Sequence, residues 1–432
     1  MMIWDVRNEC MSREERETIQ VKRLKAMLGR VKAAVPFYHG QLKDIDPAEI
    51  GSLADLARLP FTVKDDLRDN YPYRMFAVPM GDVVRIHSSS GTTGKPTVVG
   101  YTRADVALWA AMIARTLCGA GGMPGDILHN AYGYGLFTGG LGLHYGGELL
   151  GAAVIPVCAG NAKRQINTVH DFGPTLLSAT PSYTLHLAEA GEDLGLHFAQ
   201  LPLRAAFVGA EPWTEAMRVE IARRMQIKAY NIYGLSEVIA PGTSFECECQ
   251  NGSHVSEDHF IPEVIDPESG APLPDGQVGE LVFTCITKQR LPLVRYRTRD
   301  ICSLNREPCP CGRTTARMSL VTGRTDDMLI IRGVNVYPSQ IEEVLRRFRE
   351  VEPHYLILVD RKGTLGEAVV QVQLSPSFVP DAVGQVERLS RRIAEEITAV
   401  LGLGLEVQLM EPKSIARSEG KAQRVIDHRR LS

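Results

Sequence analysis

Four short apolar runs, AAVIPVC (152–158), TLLSA (175–179), AAFVG (205–209) and KAYNIYG (228–234), are each separated by a stretch long enough for one helix. Strand-length runs without polar alternation are buried on both faces, and strands alternating with helices pair in parallel through crossovers. The pattern predicts an α/β fold built on a mainly parallel sheet covered on both sides. Ahead of it, Ser12 and Glu15 form a capping-box pair, Ile19, Leu24, Met27, Leu28 and Val31 recur at helical spacing, and Pro36 ends the helix. Residues 245–305 change character, with Asp-Pro, Pro-Asp-Gly and Pro-Cys-Pro turns around short strands such as GELVFTC, so a small β-rich subdomain is expected at about 245–322. Beyond GRTDD (323–327) the chain reads as a strand, a Gly turn, a helix from Pro338-Ser339, a period-2 strand at 367–374, an amphipathic helix RLSRRIAEEITAVLG and a strand at 405–410. The expected division is a large N-terminal domain, 1–326, and a small α+β domain, 327–432.

Composition narrows the class of function. Hydrophobic residues are 44% and charged residues 23%, which excludes a disordered or fibrous chain. The net charge of −3 lacks the basic excess expected of a protein whose main partner is nucleic acid. Nine cysteines, an odd number in a long chain, do not describe a disulfide scaffold. The start, MMIWDVRNECMSREERETIQ, has no apolar core and is not a signal peptide. The most apolar stretch, 131–160, is interrupted by glycines and Glu148 and reads as buried α/β structure, not as a membrane span. The expectation is a cytoplasmic protein with no membrane partner.

The segment Ser88-Ser89-Ser90-Gly91-Thr92-Thr93-Gly94-Lys95-Pro96 carries the sharpest chemistry. Small and hydroxylated residues in a row cannot pack a core, but they present backbone N–H groups and hydroxyls to phosphate oxygens, with Lys95 adding a charge. A P-loop is excluded because the glycines are only three apart and Pro96 stands where the Mg²⁺-binding hydroxyl would be. NAYGYGLFTGG (130–140) mixes aromatic residues with glycines, which suits a flat apolar ligand. Cys309-Pro-Cys311-Gly is a tight turn that sets two thiols on one side, and CECQNGSH supplies Cys247 and His254 in the same β-rich segment. Three sulfurs and an imidazole make the closed donor set of a structural zinc site, with Cys249 a rival to Cys247.

These strings together resemble a known family. RIHSSSGTTGKPTVVGYT, LPFTVKDDLRDNYP (59–72), NAYGYGLFTGG, VGAEPWTE (208–215), IYGLSE (232–237), LPLVRYRTRD (291–300), GRTDDMLIIRGVNVYPSQIEE (323–343) and RSEGKAQRVID (417–427) are similar, in order, to the phenylacetate-CoA ligase family of the adenylate-forming acyl-CoA synthetases. The resemblance implies ATP-dependent formation of an acyl-adenylate from an aromatic carboxylic acid, then transfer of the acyl group to CoA with release of AMP. It implies that Glu237 holds Mg²⁺, that Ser88 to Gly94 and Lys95 bind phosphates, and that Gly209, Ala210, Glu211, Asn231, Ile232, Tyr233 and Gly234 surround the adenine. Asn231 replaces the Asp usual in this branch. Asp300 and Arg324 would meet the ribose, Tyr132 and Phe137 the aryl group, and Arg332 and Gly333 the CoA path. Asp326 would be the hinge of a mobile C-terminal domain that brings Lys421 to the adenylation site. Some members of the family share the Cys, His and CPCGRT pattern. A homodimer is expected on the same ground. Two alternatives stay open: transfer to an acceptor other than CoA, and a catalytically silent adenylate-binding regulator.

Overall fold

Every residue of Leu176–Ala179 and of Ala205–Gly209 is buried, as continuous apolar runs require when a sheet is covered on both faces. The computed structural model describes residues 2–88, 96–325, 329–331, 334–362, 365–378, 383–415 and 424–427. They fall into two compact units, Met1–Trp213 with Arg218–Val321, and Thr322–Ser432 with the short segment Thr214–Met217.

In the first unit, a nine-stranded sheet runs in the order Leu304–Asn305, Arg317–Met318, Ser253–Val255, Ile239–Glu246, Lys228–Leu235, Ala205–Gly209, Leu176–Ala179, Ile127–Asn130, Ala153–Ile155. The last five of these are parallel, with Leu128 opposite Leu176, Ser178 opposite Phe207 and Phe207 opposite Tyr230. The other four extend the sheet antiparallel. A second, antiparallel sheet contains Phe260–Ile265, Gly279–Cys285 and Tyr296–Cys302. The segment 245–322, expected as one β-rich subdomain, is thus shared between two sheets. Its outer strands lengthen the central sheet because Phe245 pairs with His254 and His254 with Arg317.

The helix Arg103–Gly119 starts at a reciprocal box, Thr102 N–H to Asp105 at 2.9 Å and Asp105 N–H to Thr102 Oγ1 at 3.1 Å. It packs against Gly139–Leu150, and a Cβ at Gly146 would lie 2.2 Å from the Ile113 side chain, so the two helices approach at a distance only glycine permits. The helix Arg13–Ala34 begins at Ser12, whose hydroxyl accepts the Glu15 N–H, and buries Leu24, Met27, Leu28 and Val31. No helix among the described residues is long and apolar enough to cross a membrane.

The second unit has a sheet in the order Glu406–Met410, Leu365–Leu374, Val351–Lys362, Val425–Asp427. Only its central pair is antiparallel. Helices Pro338–Leu345 and Val383–Leu401 bury Ile341, Val344, Ile393 and Ile397 against Ile357, Val359, Val370 and Val372. The strand Val351–Lys362, opening on Glu352, Pro353 and His354, has no counterpart in the sequence reading.

Several charged side chains buried in the first unit are paired. Arg115 donates to both carboxylate oxygens of Asp258, at 2.8 and 2.9 Å, and to Asp5 at 2.7 Å, with Arg115 and Asp258 both buried. Burial alone would raise the Asp258 pKa, but His259 and Arg115 hold it well below the usual carboxylate range. The pair therefore stabilises the fold above the ordinary carboxylate pKa, about 3.9, and its contribution is lost only as pH falls toward the depressed value. Arg115→Met, which leaves Asp258 buried without its main partner, should lower stability by about 3–5 kcal/mol at neutral pH. Chemical denaturation checks this, and the double change Arg115→Met with Asp258→Leu should recover part of the loss.

Candidate active site

The carboxyl ends of parallel strands are where open α/β sheets bind ligands, because the loops leaving them diverge and backbone groups point outward. Three such ends carry the expected residues. Ala205–Gly209 leads into Ala210 and Glu211, and a Cβ at Gly209 would stand 2.1 Å from the Ile232 carbonyl oxygen. Only glycine lets these two strands approach there. Ala210 has φ of 72°, a left-handed conformation that costs a side-chain-bearing residue energy and clusters at functional sites. Glu211 accepts the Ser182 N–H at 2.7 Å, which ties the loop to the start of the Pro181–Asp193 helix.

Lys228–Leu235 carries Asn231, Ile232, Tyr233 and Gly234. The Tyr233 hydroxyl donates to Asp300 at 2.6 Å, and the Asp300 N–H donates to Thr298 Oγ1 at 3.0 Å. Burial first, then the Asp300 charge, pushes the Tyr233 hydroxyl far up, so it stays protonated and remains a donor. Asn231 points elsewhere. Its Oδ1 accepts the Trp213 indole N–H at 2.7 Å and its Nδ2 donates to Ser253 at 3.0 Å. The side chain expected beside the adenine is thereby committed to the protein's own interior.

Glu237 follows this strand and is buried. Its Oε1 accepts the Thr97 hydroxyl at 3.1 Å, while Oε2 accepts no hydrogen bond among the described residues. Thr97, which sequence reasoning passed over, stands two residues beyond Lys95. The hairpin Val83–Ser88 with Val98–Thr102 brackets the Ser/Gly segment, with Ser88 opposite Val98. Ser88 is therefore placed, and its N–H donates to the Leu136 carbonyl at 3.2 Å. Ser89, Ser90, Gly91, Thr92, Thr93, Gly94 and Lys95 lie outside the described residues, as do Asp326, Arg332, Gly333 and Lys421. Arg324 is half-buried in the short strand Gly323–Arg324 of the second unit.

The aromatic loop leaves Ile127–Asn130 beside these groups. His87 Nδ1 is 3.0 Å from the Leu136 carbonyl, so the loop hangs from the strand that ends in Ser88. Tyr132 is buried and donates to the Gly209 carbonyl at 3.2 Å, with Phe137 tilted against it at 6.5 Å between ring centres. Phe137 is more than a third exposed. Asn130 anchors the loop from below, donating to Tyr134 at 2.7 Å and to the Gly140 carbonyl at 2.8 Å.

A second cluster joins Cys247, His254, Cys309 and Cys311. All four are buried and their ligand atoms lie within 4.8 Å of one another. Cys247 follows Ile239–Glu246 and His254 lies on the next strand, while strand pairing of His254 with Arg317 draws in the Cys309–Cys311 turn. Cys247 and Cys309 sulfurs are 3.8 Å apart, and Cys311 Sγ is 3.4 Å from His254 Nε2. The other imidazole nitrogen meets Thr315 Oγ1 at 3.0 Å, and the Arg313 N–H donates to Cys311 Sγ at 3.4 Å. Cys249 packs beside the cluster but does not share its 4.8 Å group.

Residues 17–285 match the family model described as AMP-binding enzyme, and residues 333–429 match that of the AMP-binding enzyme C-terminal domain. The chain is 50% identical to a phenylacetate-coenzyme A ligase of Thermus thermophilus, covering 99% of this chain and 100% of that protein. It is 48% identical to the Escherichia coli protein of the same name, covering 98% and 97%. Among solved structures, a 2-hydroxyisobutyryl-CoA ligase in the postadenylation state in complex with 2-HIB-AMP superposes with a TM-score of 0.91 at 30% identity, covering 98% of this chain and 92% of that one.

Proposed function

The chain belongs to the phenylacetate-CoA ligase family of AMP-binding enzymes, and from that premise we propose that it joins an aromatic carboxylic acid to CoA through an acyl-adenylate. The acid's carboxylate oxygen attacks the α-phosphorus of ATP and pyrophosphate leaves. The CoA sulfur then attacks the acyl carbon, its proton is lost, and AMP leaves. The observation that carries this reading is the Tyr233–Asp300 hydrogen bond of 2.6 Å at the carboxyl end of the parallel strands. It orients a carboxylate that would accept the ribose hydroxyls, beside the strand that carries Ile232 and Gly234.

Each step draws on named groups. Gly209, Ala210 and Glu211 on one side and Ile232, Tyr233 and Gly234 on the other would enclose the adenine, and Asn231 would act through the backbone. Glu237 offers a hard carboxylate oxygen with no competing hydrogen bond among the described residues, which fits Mg²⁺, and the ion when bound neutralises phosphate charge. Ser88 to Gly94 and Lys95 would hold the phosphates, with Thr97 tying their exit to Glu237. Tyr132 and Phe137 would line the aryl group. Arg324 would approach the ribose, and Asp326 would let Arg332 and Gly333 replace Lys421 between the two steps. The reading includes a homodimer and a cytoplasmic place.

A panel of carboxylic acids assayed for ATP-dependent pyrophosphate release tests the substrate class. Phenylacetate-like acids should turn over and long-chain fatty acids should not, and Phe137→Ala should raise the KM for the aryl acid more than for ATP. Efficient use of a long-chain fatty acid would contradict the aryl pocket. Lys421→Ala should slow adenylation by about 10²–10³, the usual effect of removing one preorganised charge donor, and largely spare thioester formation from supplied acyl-adenylate. Equal loss in both half-reactions would contradict domain alternation.

The thiol and imidazole cluster fits zinc. Tetrahedral bonds of about 2.3 Å put sulfurs about 3.8 Å apart, and a hydrogen bond to the second imidazole nitrogen is the usual way such a ligand is oriented. Cys247, His254, Cys309 and Cys311 would hold one structural Zn²⁺, away from the reacting atoms. Protein purified without added zinc should carry about one equivalent and melt at a lower temperature after chelation. Well under half an equivalent, with these thiols freely titrating, would refute the site.

A further inference from the structure

Lys288 is fully buried in the loop that joins Gly279–Cys285 to Tyr296–Cys302. Among the described residues its ammonium makes one hydrogen bond, to the main-chain carbonyl of Glu237 at 2.9 Å, and no ion pair. Its other neighbour is the face of Tyr101, 5.0 Å away, and Tyr101 in turn stacks on Trp109. The loop is clamped by its backbone. Asp105 accepts the N–H groups of Gln289 and Arg290, at 2.6 and 3.1 Å, and Arg30 donates to the Lys288 carbonyl at 2.8 Å.

An ammonium with one neutral acceptor is a poor structural choice. Desolvating it costs several kcal/mol, which one carbonyl and one ring face do not offset, and an apolar side chain of similar volume would pack there without that cost. Burial lowers its pKa, while the charges of Asp105 and Glu237 oppose that shift. The place where this cost is borne is the turn that carries Glu237, whose carboxylate is tied to Thr97 at the exit of the Ser/Gly segment.

We propose that Lys288 is a positioning residue for the nucleotide step: its buried ammonium holds the Glu237 turn by the main chain and sets a positive charge beside that turn, at the expense of stability. The inference rests on the reading of Glu237 and the Ser/Gly segment as the ATP-phosphate site. The charge favours anionic MgATP, and the hydrogen bond fixes the Glu237 backbone before ATP arrives, so that less reorganisation is left to the reaction.

Lys288→Met and Lys288→Gln in the full-length protein separate the parts. Lys288→Met should melt no lower than wild type, because an unpaired buried charge has been replaced by an apolar chain. It should bind MgATP about tenfold more weakly by calorimetry and lose about 10–100-fold in acid-dependent ATP–pyrophosphate exchange, the range typical for groups that orient a ligand-binding side chain. Thioester formation from supplied acyl-adenylate should stay within about threefold of wild type, since the pyrophosphate has already left. Lys288→Gln, which keeps a donor for the Glu237 carbonyl but not the charge, should fall between Lys288→Met and wild type in MgATP affinity. Three outcomes overturn the proposal. One is a loss of melting temperature in both variants with equal loss in both half-reactions, which describes a structural prop. Another is unchanged MgATP affinity in Lys288→Met. The third is a Lys288→Gln variant no better than Lys288→Met in both binding and exchange. Absence of exchange in the wild type would instead count against the proposed function itself.

Discussion

The buried carboxylate of Glu246 is the joint that the site depends on. It accepts two N–H groups of Arg218, at 2.8 and 2.9 Å, and the backbone N–H of Asn231 at 2.7 Å. Asn231 opens the segment proposed for the adenine, and Cys247, the next residue after Glu246, opens the cysteine–histidine cluster. One side chain therefore fixes the spacing between the two. A carboxylate buried without partners would cost several kcal/mol, and these three bonds are what make it tolerable. Arg218 is itself oriented by the Ala229 carbonyl at 2.5 Å and lies over the Trp213 ring, and Trp213 holds the Asn231 side chain. Strand register, indole and ion pair thus specify one another.

Much of this was legible in the sequence because it follows from patterns with one physical cause. The runs at 175–179, 205–209 and 228–234 are strands of the parallel sheet since uninterrupted apolar residues suit only a doubly covered sheet. The fourth run shrank to Ala153–Ile155, because Pro156 cannot donate to a ladder. The strand Ile127–Asn130 went unread since two of its four residues, His129 and Asn130, are polar, yet both are buried and hydrogen-bonded. Val351–Lys362 was hidden by Pro353 and its charged neighbours. In the cysteine cluster, sequence left Cys247 and Cys249 as rivals; the pairing of Phe245 with His254 decides for Cys247, which continues that strand toward the imidazole. Nothing in one sequence marks Lys288 as buried, since a lysine before Gln289 and Arg290 reads as a solvated loop.

The proposed chemistry falls where local rules are broken. Ala210 takes a left-handed backbone without being glycine, and among the described residues Lys288 buries a charge with no carboxylate partner and Glu237 keeps one carboxylate oxygen uncommitted. Each costs stability, and each adjoins the carboxyl ends of the same strands. Elsewhere in the first unit, Arg115 with Asp258 and Arg295 with Glu263 are paired through two bonds apiece. Lys288 and Glu237, without a charged partner among the described residues, differ from these pairs, and the proposed phosphate-bearing ligand would account for both.

The central claim is that the acid is activated as an acyl-adenylate. Supplying phenylacetate labelled with oxygen-18 in both carboxylate oxygens, with ATP, Mg²⁺ and CoA, tests it directly by mass spectrometry of the released nucleotide. Attack on the α-phosphorus followed by thiol attack on the acyl carbon leaves one labelled oxygen in AMP and none in pyrophosphate. Label found in inorganic phosphate with unlabelled ADP would mean attack on the γ-phosphorus and would contradict the account.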